Sequence, residues 1–316
     1  MALHVVTGGA GFIGSHLVDA LLAAGHRVRV VDDLSTGRRV NLDPRAELVL
    51  GDVADAEVMG AALDGAAGCF HLAAIASVAR ANEDWAGTHR VNLGGTVAVL
   101  EAARNAGRVP VVYASSAAVY GDHGDVRLHE GLPPQPLSAY GADKLGGELH
   151  GRVAFHVHGV PTLGLRFFNV YGPRQDPDSP YSGVISVFAA RIARARQVTI
   201  NGDGRQTRDF VYVADIVEHL LAGMERIAAR PQAGVFNACT GTATSVVALA
   251  ETLGGIIGLP PRLGFAPPRA GDLRASLGSP SAARLALRVS PPVTLEDGLA
   301  RLLGADAPGQ LAAMQA

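Results

Sequence analysis

The chain has 316 residues, enough for one large domain or two modest ones. It is 48% hydrophobic and 18% charged, so it can bury a substantial core. A net charge of −2 gives no electrostatic reason to bind nucleic acid or an acidic membrane surface. Each apolar run is broken before it reaches the length of a bilayer span, and the start lacks the regions of a secretion signal. Cys69 and Cys239, the only cysteines, then read as reduced, buried thiols rather than a disulfide. A soluble cytoplasmic protein is expected.

Residues 3–7 read as a short buried strand that enters Gly8-Gly9-Ala10-Gly11-Phe12-Ile13-Gly14 and then a helix to about Ala24. Glycine permits the tight turn, close approach of a pyrophosphate to the backbone, and close packing of helix on sheet. The helix N-terminus offers free N–H groups and the positive end of its dipole to the phosphates. A second strand, Arg27–Val31, ends at Asp32, where an acid can accept hydrogen bonds from a ribose and repel a 2′-phosphate. This favours NAD over NADP. Asp32 also reads as a strand-end turn residue, and Asp33 could share or take the ribose role.

A third strand, Glu47–Leu50, ends at Gly51-Asp52-Val53, where Asp52 either meets the adenine or caps the next helix. A fourth, Gly68–Leu72, ends at Ala73-Ala74, small enough to leave room for a flat cofactor. A long helix around Thr88–Ala106 carries Asn92. A fifth strand, Pro110–Ala114, delivers Ser115-Ser116. Strands alternating with helices imply a parallel sheet covered on both faces, with ligands beyond the carboxyl ends of its strands. Asp32, Asp52, Ala73, Ser116 and the Gly8 turn all fall at that edge.

The loop Gly121–Pro136 holds His123 and His129, spaced too irregularly for a metal site. Next comes Tyr140-Gly141-Ala142-Asp143-Lys144. Helical residues four apart share a face, so the phenol and the ammonium lie side by side. The ammonium is expected to pull the phenol's pKa toward neutrality and make Tyr140 a general base for a hydroxyl group.

A sixth strand, Thr162–Phe168, ends in Asn169-Val170-Tyr171-Gly172-Pro173-Arg174. Residues 174–183 form a Pro/Asp/Ser-rich loop before a helix from near Ser182. Val198–Ile200 is a short strand before the turn Asn201–Gly204, and Val235–Ala238 is a strand that could return to the main sheet. Residues 240–304 read as short helices and turns, with a frayed tail beyond. Arg208 and Arg269 follow turn signals, and a guanidinium there could grip a diphosphate or make a surface ion pair.

Over residues 3–303 the chain resembles the extended short-chain dehydrogenase/reductases, and within them the UDP-glucose 4-epimerase group. The motifs carrying the resemblance are Thr7–Gly14, Asp32-Asp33-Leu34, Gly51-Asp52, His71–Ala74, Ser115–Gly121, Tyr140 with Lys144, Arg166–Pro173, Gly202–Gly204, Arg208-Asp209 and Arg269-x-Gly271-Asp272. The resemblance implies a Rossmann-type, doubly wound α/β fold with a smaller mixed α/β substrate domain. Residues 1–170 and about 211–240 would form the NAD-binding domain, and 171–210 with 241–316 the nucleotide-sugar domain.

It implies Ser116, Tyr140 and Lys144 as catalytic residues. Gly8, Gly11, Phe12, Ile13, Gly14, Asp32, Asp33, Asp52, Val53, Leu72, Ala73, Ala74, Asn92 and Phe167, with Tyr140 and Lys144, would hold NAD. Ser115, Ser116, Asn169, Arg208, Arg269, Asp272 and Ser276 would hold a UDP-sugar. The implied chemistry is 4-epimerisation through a transient 4-keto sugar, in a homodimer joined by the helices around 88–106 and 140–157.

Departures sort the relatives. Sugar 4,6-dehydratases and UDP-glucuronate decarboxylases carry an acid shortly after the catalytic serine or threonine, where this chain has Ala117 and Ala118. The Gln175–Gly183 loop is of the longer glucose/galactose type. Ser276 stands where some epimerases narrow the sugar pocket with a bulky side chain, so N-acetylated hexoses are expected to fit. The alternatives are a UDP-glucuronate 4-epimerase, another nucleotide-sugar oxidoreductase, or a non-catalytic cofactor sensor or scaffold.

Overall fold

The computed structural model describes residues 1–175, 183–268 and 272–304. Six parallel strands, β1 (Leu3–Thr7), β2 (Arg27–Asp32), β3 (Glu47–Leu50), β4 (Gly68–His71), β5 (Val111–Ser116) and β6 (Thr162–Phe167), form the main sheet with a seventh, Ala233–Ala238. Their order is Ala233–Ala238, β6, β5, β4, β1, β2, β3. The chain therefore winds outward from β1 in one direction and from β4 in the other. The crevice between β1 and β4 is the switch point at which such sheets bind ligands.

Helices cover both faces, so the central strands are buried on both sides. Val5 and Val6 show the alternation. Val6 joins the core under Leu17, Leu21, Leu220 and Ile227, whereas its neighbour Val5 joins the opposite core with Met59, Leu63, Val99 and Ala154. The first helix, Phe12–Ala23, buries Gly14, Leu17, Val18, Leu21 and Leu22, one face at helical spacing.

A third core gathers Tyr171, Ile185, Phe188, Ile200, Leu249 and Leu299, under residues that follow β6. Small strand pairs fasten this part. Asn169–Tyr171 runs parallel to Phe210–Tyr212, and Thr207-Arg208 lies between Thr244-Ser245 and Ala275-Ser276.

Several local readings differ from the sequence expectation: β5 runs on through Ser115 and Ser116, residues 240–304 also contribute the short strands Thr244–Ser245, Leu263–Ala266 and Ala275–Ser276, and two helices depart from theirs. The Thr88–Ala106 helix is longer and irregular: Trp85–His89 and Gly95–Asn105 are α-helical, and Arg90–Gly94 between them is a π turn. Residues 246–257 form one twelve-residue helix, longer than the short pieces expected there. The tail beyond 304 lies outside the described residues.

The helix Ala139–His158 starts at Ser138, whose hydroxyl accepts the Gly141 N–H at 3.0 Å, and stops at Gly159 in the left-handed region. It is pinned to the sheet by a buried ion pair. Arg166 on β6 donates to both oxygens of Glu148, at 2.8 and 2.7 Å, and each side chain is 6% exposed. Arg166 also lies over the Tyr120 ring, 4.6 Å from its centroid. Removing one charge strands the other in the interior. Glu148→Gln should lower the unfolding free energy by about 3 kcal/mol or more, read from urea denaturation.

Candidate active site

A cavity of 640 Å³ opens at the carboxyl edge of the sheet, over the switch point. Its floor is the glycine turn. Gly8 has φ +69°, and a Cβ there would sit 2.7 Å from the Ala73 nitrogen. A Cβ on Gly14 would stand 2.2 Å from the Gly8 carbonyl oxygen. Gly11 starts the first helix without a side-chain cap, so the first-turn N–H groups are left for a ligand in the cavity that Gly11, Phe12, Ile13 and Gly14 line.

The acids take their places at the strand ends. Asp32 lines the cavity with both carboxylate oxygens engaged, accepting the Ala10 and Leu34 N–H groups at 2.9 Å each. Burial raises its pKa and these two bonds oppose the rise. Each oxygen keeps a lone pair for a ribose hydroxyl. Asp33 also lines the cavity and accepts from the Ser35 backbone and hydroxyl, at 2.9 and 2.6 Å.

Asp52 lines the cavity and does not cap the next helix. It holds the Ala54 N–H at 2.9 Å at the start of the turn before the Ala56–Leu63 helix, whose cap is Asp55, and it pairs with Arg90 at 2.7 Å on the cavity wall. Burial opposes its ionisation, but the Ala54 and Arg90 bonds outweigh it and its pKa falls. Val53, Leu72, Ala73, Ala74 and Phe167 also line the cavity.

A buried chain of hydrogen bonds shapes the wall after β4. Thr7 Oγ1 accepts the Leu72 and Ala73 N–H groups at 3.2 Å and meets His71 Nδ1 at 2.8 Å. His71 Nε2 meets Thr96 Oγ1 at 3.1 Å, and Thr96 donates to the Asn92 carbonyl at 2.6 Å. Burial pushes His71 down to about 3, so the ring stays neutral.

Asn92 corrects the sequence expectation: it does not line the cavity. It is buried on the π turn, where its amide brackets Ile75, accepting the N–H at 2.8 Å and donating to the carbonyl at 3.2 Å. It holds the loop that faces the cavity rather than facing it.

Ser116, Tyr140 and Lys144 come together at one end of the cavity. Lys144 is 8% exposed, and its Nζ donates to the Ala114 carbonyl at 2.9 Å, 5.8 Å from the Tyr140 ring centroid. Lys144 is also the only lysine in the chain; the other cationic side chains are arginines. A guanidinium could not lose its proton there, whereas burial pushes this amine down to about 8.

The expected low phenol pKa is not found. Burial raises Tyr140, and its hydrogen bond with Ser116 only partly offsets the rise. The lysine is directed at a carbonyl, so its proximity does not overcome desolvation.

The predicted substrate residues are less assembled. Ser115 lines the cavity, but its hydroxyl donates inward to Glu148 at 2.5 Å. Arg208 is bonded to Asp272 and to the Thr207 carbonyl, the latter at 2.8 Å. Ser276 is buried in register with Arg208. Asn169, Arg208, Asp272 and Ser276 all lie outside the residues lining the cavity. Arg269 lies outside the described residues, as does most of the Gln175–Gly183 loop.

The cavity adds residues that the sequence reading missed, among them Ser77, Arg80, Arg90 and Gln175. They sit on a short helix and its cap, a π turn and a loop, whose approach depends on tertiary packing.

A glycine cradle, strand-end acids and a Tyr–Lys pair in one cleft define a dinucleotide-dependent enzyme of the short-chain dehydrogenase/reductase type. The chain belongs to the NAD dependent epimerase/dehydratase family, whose profile matches residues 4–239. It is 40% identical to a UDP-glucose 4-epimerase of Mycolicibacterium smegmatis, over 94% of this chain and 96% of that one. Among solved structures it resembles a UDP-glucose 4-epimerase of Thermotoga maritima with UDP-glucose, at TM-score 0.90, 38% identity and coverage of 95% and 97% of the two chains. It also resembles a UDP-N-acetylglucosamine 4-epimerase of Methanobrevibacter ruminantium in complex with UDP-N-acetylmuramic acid, at TM-score 0.89, 32% identity and coverage of 95% and 96%.

The cradle and acids fit NAD, and two outcomes follow. Gly14→Ala should lose bound NAD on gel filtration, because its methyl group collides with the Gly8 carbonyl. In the wild type, Lys144 is an ammonium below its midpoint and a neutral amine above it. Turnover should therefore fall as pH rises through about 8, read from a pH–rate profile.

Proposed function

We propose that this protein is an NAD-dependent UDP-hexose 4-epimerase interconverting UDP-glucose and UDP-galactose through a transient 4-keto sugar. The observation that carries the reading is the meeting of Ser116, Tyr140 and Lys144 at one end of a cavity whose floor is the glycine cradle. Bound NAD⁺ supplies the acceptor for the C4 hydride and the donor that returns it to the opposite face.

Once ionised to the phenolate, Tyr140 would take the proton of the sugar 4-hydroxyl and later give it back. Ser116 lies in hydrogen-bonding reach of the Tyr140 phenol and would bond the same sugar oxygen. Lys144, as an ammonium, would bond the cofactor ribose and favour loss of the phenol proton. Ala117 and Ala118 supply no acid to draw a proton from C5, which argues against dehydration. Asn169, Arg208, Arg269 and Asp272 would hold the nucleotide diphosphate and its ribose, with Arg208 exchanging Asp272 for the ligand.

A second substrate series has its own support. Ser276 is small, and the methanogen relative is named for an N-acetylated sugar. We therefore assign UDP-N-acetylglucosamine as an additional substrate.

The protein would act as a cytoplasmic homodimer. Leu149, Val153 and Val157 leave an exposed apolar stripe at spacing four on the Ala139–His158 helix, and Trp85 is exposed on a helix that packs against it. The buried, unpaired thiols of Cys69 and Cys239 accord with a reducing compartment.

NMR of the products formed from UDP-glucose, UDP-N-acetylglucosamine or UDP-glucuronate, each supplied separately without NAD, tests the substrate assignment. Conversion of the first two to their galacto forms is expected, and conversion of UDP-glucuronate alone would replace the reading. Tyr140→Phe should lose about a hundredfold or more in turnover while retaining NAD, and unchanged turnover would remove the mechanism. Val153→Glu should give a monomer by light scattering.

A further inference from the structure

The Arg208-Asp209 motif carries one residue to which the proposed chemistry gives no part. Asp209 is 0% exposed and lies outside the residues lining the cavity, so its carboxylate touches no ligand. Both of its oxygens are nonetheless engaged. Oδ1 accepts the Thr240 N–H at 2.9 Å and the Thr240 hydroxyl at 2.6 Å. Oδ2 accepts the Gly241 N–H at 2.9 Å and the Gly278 N–H at 3.3 Å. Burial raises the Asp209 pKa, and these four bonds oppose the rise.

The partners come from segments far apart in the chain. Thr240 and Gly241 follow Ala233–Ala238, the outermost strand of the main sheet. Gly278 follows Ala275-Ser276, the strand paired with Thr207-Arg208. The Asp209 backbone completes the junction. Its N–H donates to the Ser276 carbonyl and its carbonyl accepts the Asn169 N–H, each at 3.0 Å. The Thr240 carbonyl accepts from Arg284 at 3.4 Å. The peptide between Thr240 and Gly241 thus lies with its N–H on the carboxylate and its carbonyl on a guanidinium, which links the buried negative charge to a positive one.

We propose that Asp209 is a positioning residue for substrate binding: its carboxylate fixes Arg208 relative to the main sheet and so sets where the guanidinium meets the diphosphate. The inference rests on the reading that Arg208 holds that diphosphate. Of the Arg208 side chain's own contacts, one is the Thr207 carbonyl and the other is Asp272, which the ligand would displace. Once that pair opens, the backbone that Asp209 anchors is what holds the guanidinium in place. An asparagine cannot reproduce the anchor. Its one oxygen serves one set of donors, and its amide turns N–H groups toward the other.

UDP itself is the probe, since it carries the diphosphate without the reacting sugar. Its dissociation constant is measured by calorimetry on the folded, NAD-loaded protein. In Asp209→Asn it should rise about tenfold, with the NAD content unchanged. Thr240→Val removes one donor and keeps the shape, and it should raise the constant about threefold. Arg208→Ala should also weaken binding. Asp209→Asn added to Arg208→Ala should then cost less than about twofold more, because the carboxylate acts through the guanidinium.

A residue that only stabilised the fold would lower the melting temperature and leave the UDP affinity of the folded protein where it was. Wild-type affinity in folded Asp209→Asn, or an equal loss with and without Arg208, would therefore overturn the proposal. If Asp209→Asn does not fold, wild-type affinity in Thr240→Val does so. A wild-type protein that does not bind UDP would remove the diphosphate reading and the proposal with it. Failure of the epimerase reading alone appears in the product spectra and leaves UDP binding intact.

Discussion

Burial of a single ammonium at the carboxyl edge of the sheet sets the terms for the rest of the site. Lys144 is held there by the hydrogen bond it donates to the Ala114 carbonyl, while burial pushes its pKa down to about 8. That requires the Ala139–His158 helix to lie close along β5, which the Glu148–Arg166 pair secures from β6. The same carboxylate accepts from Ser115, the neighbour of Ser116. One buried ion pair thus sets the spacing between the helix that carries the tyrosine and lysine and the strand that carries the serine.

The opposite wall answers a different constraint, the close approach of backbone to backbone. Gly8 and Gly14 leave no room for a methyl group, and Thr7, His71, Thr96 and Asn92 link the loop after β4 to the π turn. The cavity lies between a wall fixed by charge and a wall fixed by close packing.

Much of this was legible in the chain because its signals are local. β1 and β3 match their expected bounds, and the glycine turn, Asp32, Asp33 and Asp52 line the cavity where the strand-end argument put them. What was not legible depends on contacts between distant segments. Asn92 turns inward because five residues wind as a π helix, a choice that spacing does not reveal. Ser115 is drawn to Glu148, thirty-three residues away. Helical spacing puts the lysine on the tyrosine's face without showing that its nitrogen points to the Ala114 carbonyl or that the phenol is buried, so the phenol pKa is not legible in it. Arg208 and Ser276, expected to meet the substrate, lie outside the residues lining the cavity, on a small sheet whose three strands come from distant segments.

The central claim is that one site removes and returns the same hydride at C4. UDP-glucose carrying deuterium at C4 tests it most directly, incubated with the purified protein in ordinary water and no added NAD. The account predicts UDP-galactose with the deuterium still at C4, now on the opposite face. Product with hydrogen from solvent at C4, or a reaction that requires stoichiometric nicotinamide, would contradict it.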